Sequence, residues 1–252
     1  MTAFAALHRP GAPLLLPNAW DHASARLLAA QGFAAIGTTS LGVAAAAGVP
    51  DGAAATRDET LRLALGLGSD PFALSVDAED GFSDDPAEVA AFARELWAVG
   101  VVGINLEDRL GPADRHAEKI AAVKAAAPGL FVNARTDTYW LGPHDRPHGE
   151  TLARLDAYRR AGADGAFVPG LTDPTAIAAL VRTLGDLPLN VLYSPTGPTV
   201  PQLTDLGVRR VSLGSLLYRR ALGAAVEALA GIRAGRAPRG TTPAYGDVQA
   251  LA

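Results

Sequence analysis

The 252-residue chain contains no cysteine, which excludes a disulfide framework, a thiolate metal centre and a cysteine acting as nucleophile or proton donor. Lysine is nearly absent too. Lys119 and Lys124 are the only two, and both fall in a segment, 116–126, that reads as a surface helix, so no strand offers the buried lysine that a Schiff-base aldolase needs. There is no excess of basic charge either. With 22 basic and 26 acidic residues the formal net charge is -4, which gives no electrostatic hold on nucleic acid or on an anionic membrane and leaves small molecules as the expected partners. One uncharged stretch, 27–50, is long enough for a membrane span of about 20 residues. Gly32, Gly37, Gly42, Gly48 and Pro50 interrupt it, so it reads as the end of a helix, a strand and a loop. The first sixteen residues lack a basic start followed by an apolar run, and Pro10 and Pro13 break them, so no secretory signal is read and a cytoplasmic location is expected.

What the chain does have is rhythm. Short apolar runs at 13–17, 34–39, 72–77, 101–106, 130–135, 165–169, 189–193 and 210–213 alternate with amphipathic segments at 21–31, 57–67, 86–99, 116–126, 150–161, 174–184 and 215–234. Several of the helical segments end at glycine, as at Gly32, Gly100, Gly162 and Gly207, the residue that closes a helix at least steric cost. Eight strands with crossover helices predict a single α/β domain over 1–252, a (β/α)8 TIM-type barrel with 235–252 as a C-terminal tail. The alternative is an open doubly wound sheet, but its Gly-rich dinucleotide turn is missing after the first strand, where Pro17-Asn18-Ala19-Trp20 stands instead.

A barrel of this kind works at the C-terminal ends of its strands, and polar residues gather there. The period of two puts Asp77 and Glu79 on one side of the third strand, Asn105 and Glu107 on one side of the fourth, and Asn133, Arg135 and Asp137 on one side of the fifth. Carboxylates collected in this way repel one another unless a cation sits among them, and oxygen-only ligands suit Mg2+ or Mn2+ rather than zinc. Asp80, Asp84, Asp85, Asp108 and Asp114 read differently, as caps of helices and turns.

The segments Asp77-Ala78-Glu79-Asp80-Gly81-Phe82, Leu106-Glu107-Asp108 and Asn133-Ala134-Arg135-Thr136-Asp137 resemble the isocitrate lyase and phosphoenolpyruvate mutase superfamily. Leu16-Pro17-Asn18-Ala19-Trp20-Asp21, Thr38-Thr39-Ser40-Leu41-Gly42 and Gly48-Val49-Pro50-Asp51-Gly52 match it in order and spacing, so the resemblance covers nearly the whole chain. It implies a Mg2+ cofactor, with Mn2+ as a substitute, held directly by Asp77 and through water by Glu79, Glu107 and Asp51. It implies that Thr39, Ser40 and Leu41 hold a substrate carboxylate and that Arg135 faces an enolate oxygen or a carboxylate. The other reading of Arg135 is an ion pair with Asp137 or Glu107 that braces the barrel mouth. Asn133 and Asn190 are read as substrate-binding positions, Asn190 lining the barrel with a core role as its alternative. The superfamily also implies a homodimer or homotetramer in which the last helix is exchanged between subunits.

The chain departs from the superfamily after the fourth strand. The lyases carry a Lys-Lys-Cys-Gly-His type loop there, whereas this chain has the short run 109–116, without cysteine and without the lysine and asparagine that the mutases use. His116 and Tyr193 are the candidates for the missing proton donor, the one alternatively an exposed residue in a first helical turn and the other a packing residue at the mouth. Residues 140–148 read as part of a lid or as a surface loop. The resulting expectation is a Mg2+-dependent lyase that breaks a carbon-carbon bond of a small 2-oxo or 2-hydroxy acid. The alternatives are a phosphoenolpyruvate or phosphonopyruvate mutase or hydrolase acting on a P–C bond, and a carboxylate-binding barrel without catalysis.

Overall fold

The computed structural model describes residues 2–142 and 148–251. A single 3-10 turn, Ala5–Leu7, precedes β1 (Leu14–Leu16) and β2 (Asn18–Ala19). Then follow α1 (His22–Ala30), β3 (Ala35–Thr38), α2 (Ser40–Ala47), α3 (Arg57–Leu67), β4 (Ala73–Asp77), α4 (Pro86–Ala98), β5 (Gly103–Glu107) and α5 (Ala113–Ala126). The second half runs β6 (Phe131–Arg135), α6 (His148–Arg160), β7 (Gly165–Val168), α7 (Pro174–Leu184), β8 (Leu189–Leu192), α8 (Val200–Asp205), β9 (Arg210–Ser212), α9 (Leu216–Arg233) and α10 (Tyr245–Gln249).

Each of these strands pairs in parallel with its neighbours in chain order, from β2 through to β9, and β9 returns to β1. β1 and β2 are the two halves of one strand broken at Pro17, which has no N–H to give to a ladder. The first half pairs with β9 and the second with β3, so the broken strand joins both sides of the sheet into a ring. The result is the eight-stranded α/β barrel, and the open doubly wound sheet is set aside. Helix starts follow local chemistry: Asp21 and Ser24 form a capping box on α1, and Asp85 and Asp173 cap α4 and α7 with proline in the first turn.

The pleat divides the strands into two faces. Outward residues such as Ile36, Leu74, Val76, Ile104, Leu106, Val132 and Val191 pack under the helices as the main core. The interior is layered. At the N-terminal end Phe4, Leu16 and Phe131 fill the lumen, and glycines at 103 and 165 make room for them: a Cβ on Gly103 would stand 2.7 Å from the Phe4 ring. The middle layer is polar, made of Ser75, Asn105, Asn133, Asn190, Arg210 and Ser212, all buried. The C-terminal layer holds the acids and Arg135.

Two expectations are corrected here. Residues 40–47, read as loop, form α2, in which Ser40 is followed only by Leu, Gly, Val and Ala, so the sequence carries no helical period. Lys119 is buried rather than on a surface, its ammonium donating to the Asp80 carbonyl at 3.0 Å, and Lys124 pairs with Asp164 at 2.7 Å. Neither lysine lies on a strand. No helix among the described residues is long and apolar enough to cross a membrane, and 27–50 is divided among α1, β3 and α2.

Candidate active site

The C-terminal mouth of the barrel opens into a cavity of about 330 Å3 whose wall includes Asp51, Asp77, Ser40, Arg135 and Tyr193. Asp77 ends β4. Its own N–H donates to the Thr38 hydroxyl at 2.8 Å, and its Oδ2 accepts from the Ser40 N–H at 3.2 Å, at the first turn of α2. The chain then turns sharply through Glu79, whose φ of +48° lies in the left-handed region that non-glycine residues avoid. That strained turn buries the Glu79 carboxylate behind the mouth, where it accepts from the Thr56 hydroxyl at 2.7 Å.

Arg135 ends β6 and holds two carboxylates at once. Its Nη1 is 2.7 Å from Glu107 Oε2 on β5, its Nε donates to Asp137 Oδ1 at 2.7 Å, and the guanidinium lies 5.8 Å from the centre of the Phe167 ring. The bracing ion pairs are therefore present, and the same guanidinium still faces the cavity. Burial pushes the Glu107 carboxyl up to about 8; Arg135 pulls it back, while Asp77, Asp137 and Glu79 push it further. Burial also raises Glu79 and Asp51, opposed by hydrogen bonds from Thr56 and Ser40 and reinforced by the charge of Asp77. The charge of Asp77 thus makes the three acids around it harder to ionise.

Among the described residues no three carboxylate or imidazole groups converge into a ready ligand cluster. The donor set is oxygen only, spread over four mutually repelling carboxylates at 51, 77, 79 and 107. That combination fits a hard divalent cation that keeps much of its own water, such as Mg2+, and not a thiolate- or imidazole-seeking ion.

The structure brings Thr39, Ser40, Leu41, Asp51, Asp77, Arg135 and Tyr193 together around the cavity, with Glu79 and Glu107 behind its wall. It does not bring three others there. His116 is buried between α5 and α6 with its ring 4.6 Å from that of Tyr158, and burial pushes its pKa down to about 4, so it is neither exposed nor at the mouth. The helical period turns position 116 inward behind β5. Asn133 and Asn190 lie one layer below the cavity, Asn133 donating to Asn105 Oδ1 at 2.8 Å and Asn190 to the Ser212 hydroxyl at 3.0 Å. Their role is in the interior network. Of the lid segment, Trp140 reaches the cavity wall, and residues 143–147 lie outside the described residues.

Four residues of this region were not singled out from the sequence as site residues. Asn18, on β2, accepts from the N–H groups of Leu213 and Gly214 at 3.0 and 2.9 Å and donates to the Thr38 carbonyl, which clips the end of β9 to the mouth. Its signal was the polar residue directly after Pro17. Asp108, read as a cap, instead accepts five hydrogen bonds behind the Arg135 strand. Arg219 reaches the cavity from the first turns of α9. Arg210 lies under the floor, and its period-two spacing from Ser212 was the available sign.

Comparison with known proteins identifies relatives over most of the chain. The family model described as phosphoenolpyruvate phosphomutase matches residues 4–233. An uncharacterised protein of Mycobacterium tuberculosis is 44% identical over 98% of this chain and 95% of its own length. The phosphoenolpyruvate phosphomutase of Streptomyces hygroscopicus is 32% identical over 79% of this chain and 68% of its own. Among solved structures, a phosphonopyruvate hydrolase complexed with oxalate and Mg2+ superposes with a TM-score of 0.84 at 25% identity, over 99% of this chain and 93% of that one.

Proposed function

Because the chain belongs to the phosphoenolpyruvate phosphomutase family, whose relatives are lyases, mutases and hydrolases, we propose that it is a Mg2+-dependent lyase that cleaves a carbon-carbon bond of a small 2-oxo or 2-hydroxy acid. The observation that carries this reading is the oxygen-only acid cluster around Asp77, set beside the first amides of α2 and facing a cavity of small-molecule size. Asp77 would hold the ion directly, with Asp51, Glu79 and Glu107 acting through its water. When bound, the ion supplies a positive charge that stabilises negative charge growing on the substrate oxygens. Leu41, in the first turn of α2, presents its N–H to a substrate carboxylate beside the Thr39 and Ser40 side chains, while the Ser40 N–H holds Asp77. Arg135 offers the face of its guanidinium that Glu107 and Asp137 leave open. Tyr193 is the hydroxyl in the cavity wall placed to return a proton to the departing carbanion-like carbon.

The test is calorimetry of oxalate, a planar mimic of a pyruvate enolate, with and without Mg2+, in the wild type and in Asp77→Ala. Metal-dependent binding that disappears in the variant is expected. Binding that ignores Mg2+, or none at all, overturns the proposal. Screening of 2-oxo acids with phosphorus NMR alongside separates carbon-carbon from P–C cleavage, and tight binding without any turnover leaves the non-catalytic barrel.

We also propose that a second copy of this chain covers α9. The 18-residue helix buries none of its side chains, and Leu222, Val226, Leu229 and Ile232 lie on one face, each more than half exposed. It follows the last barrel strand in the position of the eighth barrel helix, yet its apolar stripe stays exposed among the described residues, the arrangement expected of an exchanged or paired helix.

A further inference from the structure

Arg210 is the largest of the fully buried side chains, 1% exposed, and it stands in the lumen of the barrel in register with Asn190 on β8 and Leu14 on β1. Its Nε donates to the Ser212 hydroxyl at 3.2 Å, and its Nη2 reaches Asn105 Oδ1 at 3.1 Å and the Ser75 hydroxyl at 3.4 Å. Nη1 has no partner. None of these groups is charged. The contrast with the other interior arginines is direct: Arg135 lies 2.7 Å from each of two carboxylates and Arg154 lies against Asp108, whereas no ion pair involves Arg210 among the described residues.

Two of its partners face upward. Asn105 and Ser212 form part of the floor of the active-site cavity, and each is also tied to a neighbouring strand, Asn105 by Asn133 and Ser212 by Asn190. The guanidinium therefore sets the orientation of the floor from beneath. Its charge is not used from below either. His8 lies at the N-terminal end with its ring stacked on Phe131, its Nδ1 is 3.1 Å from the Phe4 carbonyl, and burial together with Arg210 pushes its pKa down to about 4, so it is neutral. Burial pushes Arg210 down to about 9, with Asp77 above pulling the other way, and it stays protonated at neutral pH. An unpaired buried charge is costly, and an apolar side chain would serve packing better at this place.

We propose, on the basis of the functional reading above, that Arg210 is a positioning residue of the active site: it fixes Asn105 and Ser212 in the cavity floor and supplies a buried, locally unneutralised positive charge that draws an anionic carboxylate ligand into the cavity. The same charge opposes a cation. This gives the proposal a signature that a packing role lacks, because removing the charge must move the affinities of a cation and an anion in opposite directions.

The experiment is calorimetry of two probes, Mg2+ alone and oxalate at saturating Mg2+, on the wild type, Arg210→Gln and Arg210→Met, with melting temperatures recorded for each. Arg210→Gln is expected to bind Mg2+ more tightly and oxalate more weakly, each by roughly three- to thirtyfold, the span of one unit charge acting through a partly screened interior. Arg210→Met removes the same charge with a flexible side chain suited to a buried site and is expected to shift the two affinities in the same opposite senses, which tests the proposal even if the glutamine variant does not fold. Parallel losses of both affinities, no change in either beside a lowered melting temperature, or a methionine variant that binds both probes as the wild type does would each overturn it. A wild type that binds no oxalate overturns the functional reading first and this proposal with it, whereas failure in the variants alone overturns only the role of Arg210.

Discussion

Replacing Asp108 by asparagine changes one atom, and the structure says which contacts that atom makes. Oδ1 accepts from the N–H groups of Leu110 and Asp137 at 3.0 and 3.1 Å, and an asparagine oxygen can keep both. Oδ2 accepts from the Thr136 hydroxyl at 2.7 Å, the Tyr158 hydroxyl at 2.7 Å and Arg154 Nη1 at 3.1 Å. An NH2 group there faces three donors. The two hydroxyls can rotate, but a guanidinium cannot accept, and among the described residues Arg154 keeps the partly exposed Glu150 at 3.2 Å as its anionic partner. Breaking a buried, hydrogen-bonded ion pair on one side costs about 3–5 kcal/mol. For a chain of this length each kcal/mol lowers the melting temperature by about 2–4 °C, so a fall of roughly 10 °C is expected. Urea unfolding at constant m-value measures it. Its pH dependence is also determined. Burial pushes the Asp108 carboxyl up, but the hydrogen bonds from Leu110, Tyr158, Thr136 and Asp137 outweigh it and hold the pKa below the ordinary 3.8. The stabilisation is thus complete above that ordinary value and is lost as pH falls through the depressed one. The gap between wild type and variant should be widest at neutral pH and close in strong acid. A loss under about 1 kcal/mol, or a gap that does not shrink in acid, refutes the reasoning.

Two further substitutions probe other parts of the molecule. A Cβ at Gly37 would stand 2.6 Å from Asn18 Nδ2 and 3.0 Å from Leu16 Cδ2, so Gly37→Ala should displace the clip that Asn18 makes to Leu213 and Gly214 and cost about 1–3 kcal/mol in urea unfolding, with weaker oxalate binding; an unchanged midpoint would show that Asn18 yields freely. Val226→Glu places a charge in the exposed stripe of α9, and light scattering should find a dimer or tetramer for the wild type and a smaller species for the variant; a monomeric wild type at micromolar concentration removes the second-copy proposal.

The barrel was legible because its outer strand faces and helix faces obey simple periods, and because Asp21, Asp85 and Asp173 cap helices as isolated side chains would. The acids of the barrel mouth stood out for the same reason, as polar positions at the ends of apolar strands. What escaped detection depends on a third dimension. α2 is Gly- and Ala-rich without a polar face, so nothing in its pattern separates helix from loop. His116 is near charged neighbours in sequence, yet its helix turns it toward Tyr158. Asp108 follows directly on Glu107, and only the meeting of β5, β6 and α6 distinguishes a cap from a five-donor hub. Arg210 lies in a strand of three residues, too short to reveal that its inward face enters a polar lumen.

The strand broken at Pro17 has a consequence for how the molecule comes into being. Leu14 pairs with Arg210, partners far apart along the chain, while Asn18, four residues later, pairs with Gly37. During synthesis β2 can find its neighbour early, but β1 must wait until nearly the whole barrel has left the ribosome. Until then an open sheet with two bare parallel edges has to persist without pairing to another chain. The Pro17 interruption lets the early half commit while the late half stays unpaired, so the last long-range event in folding is confined to a ladder of three residue pairs.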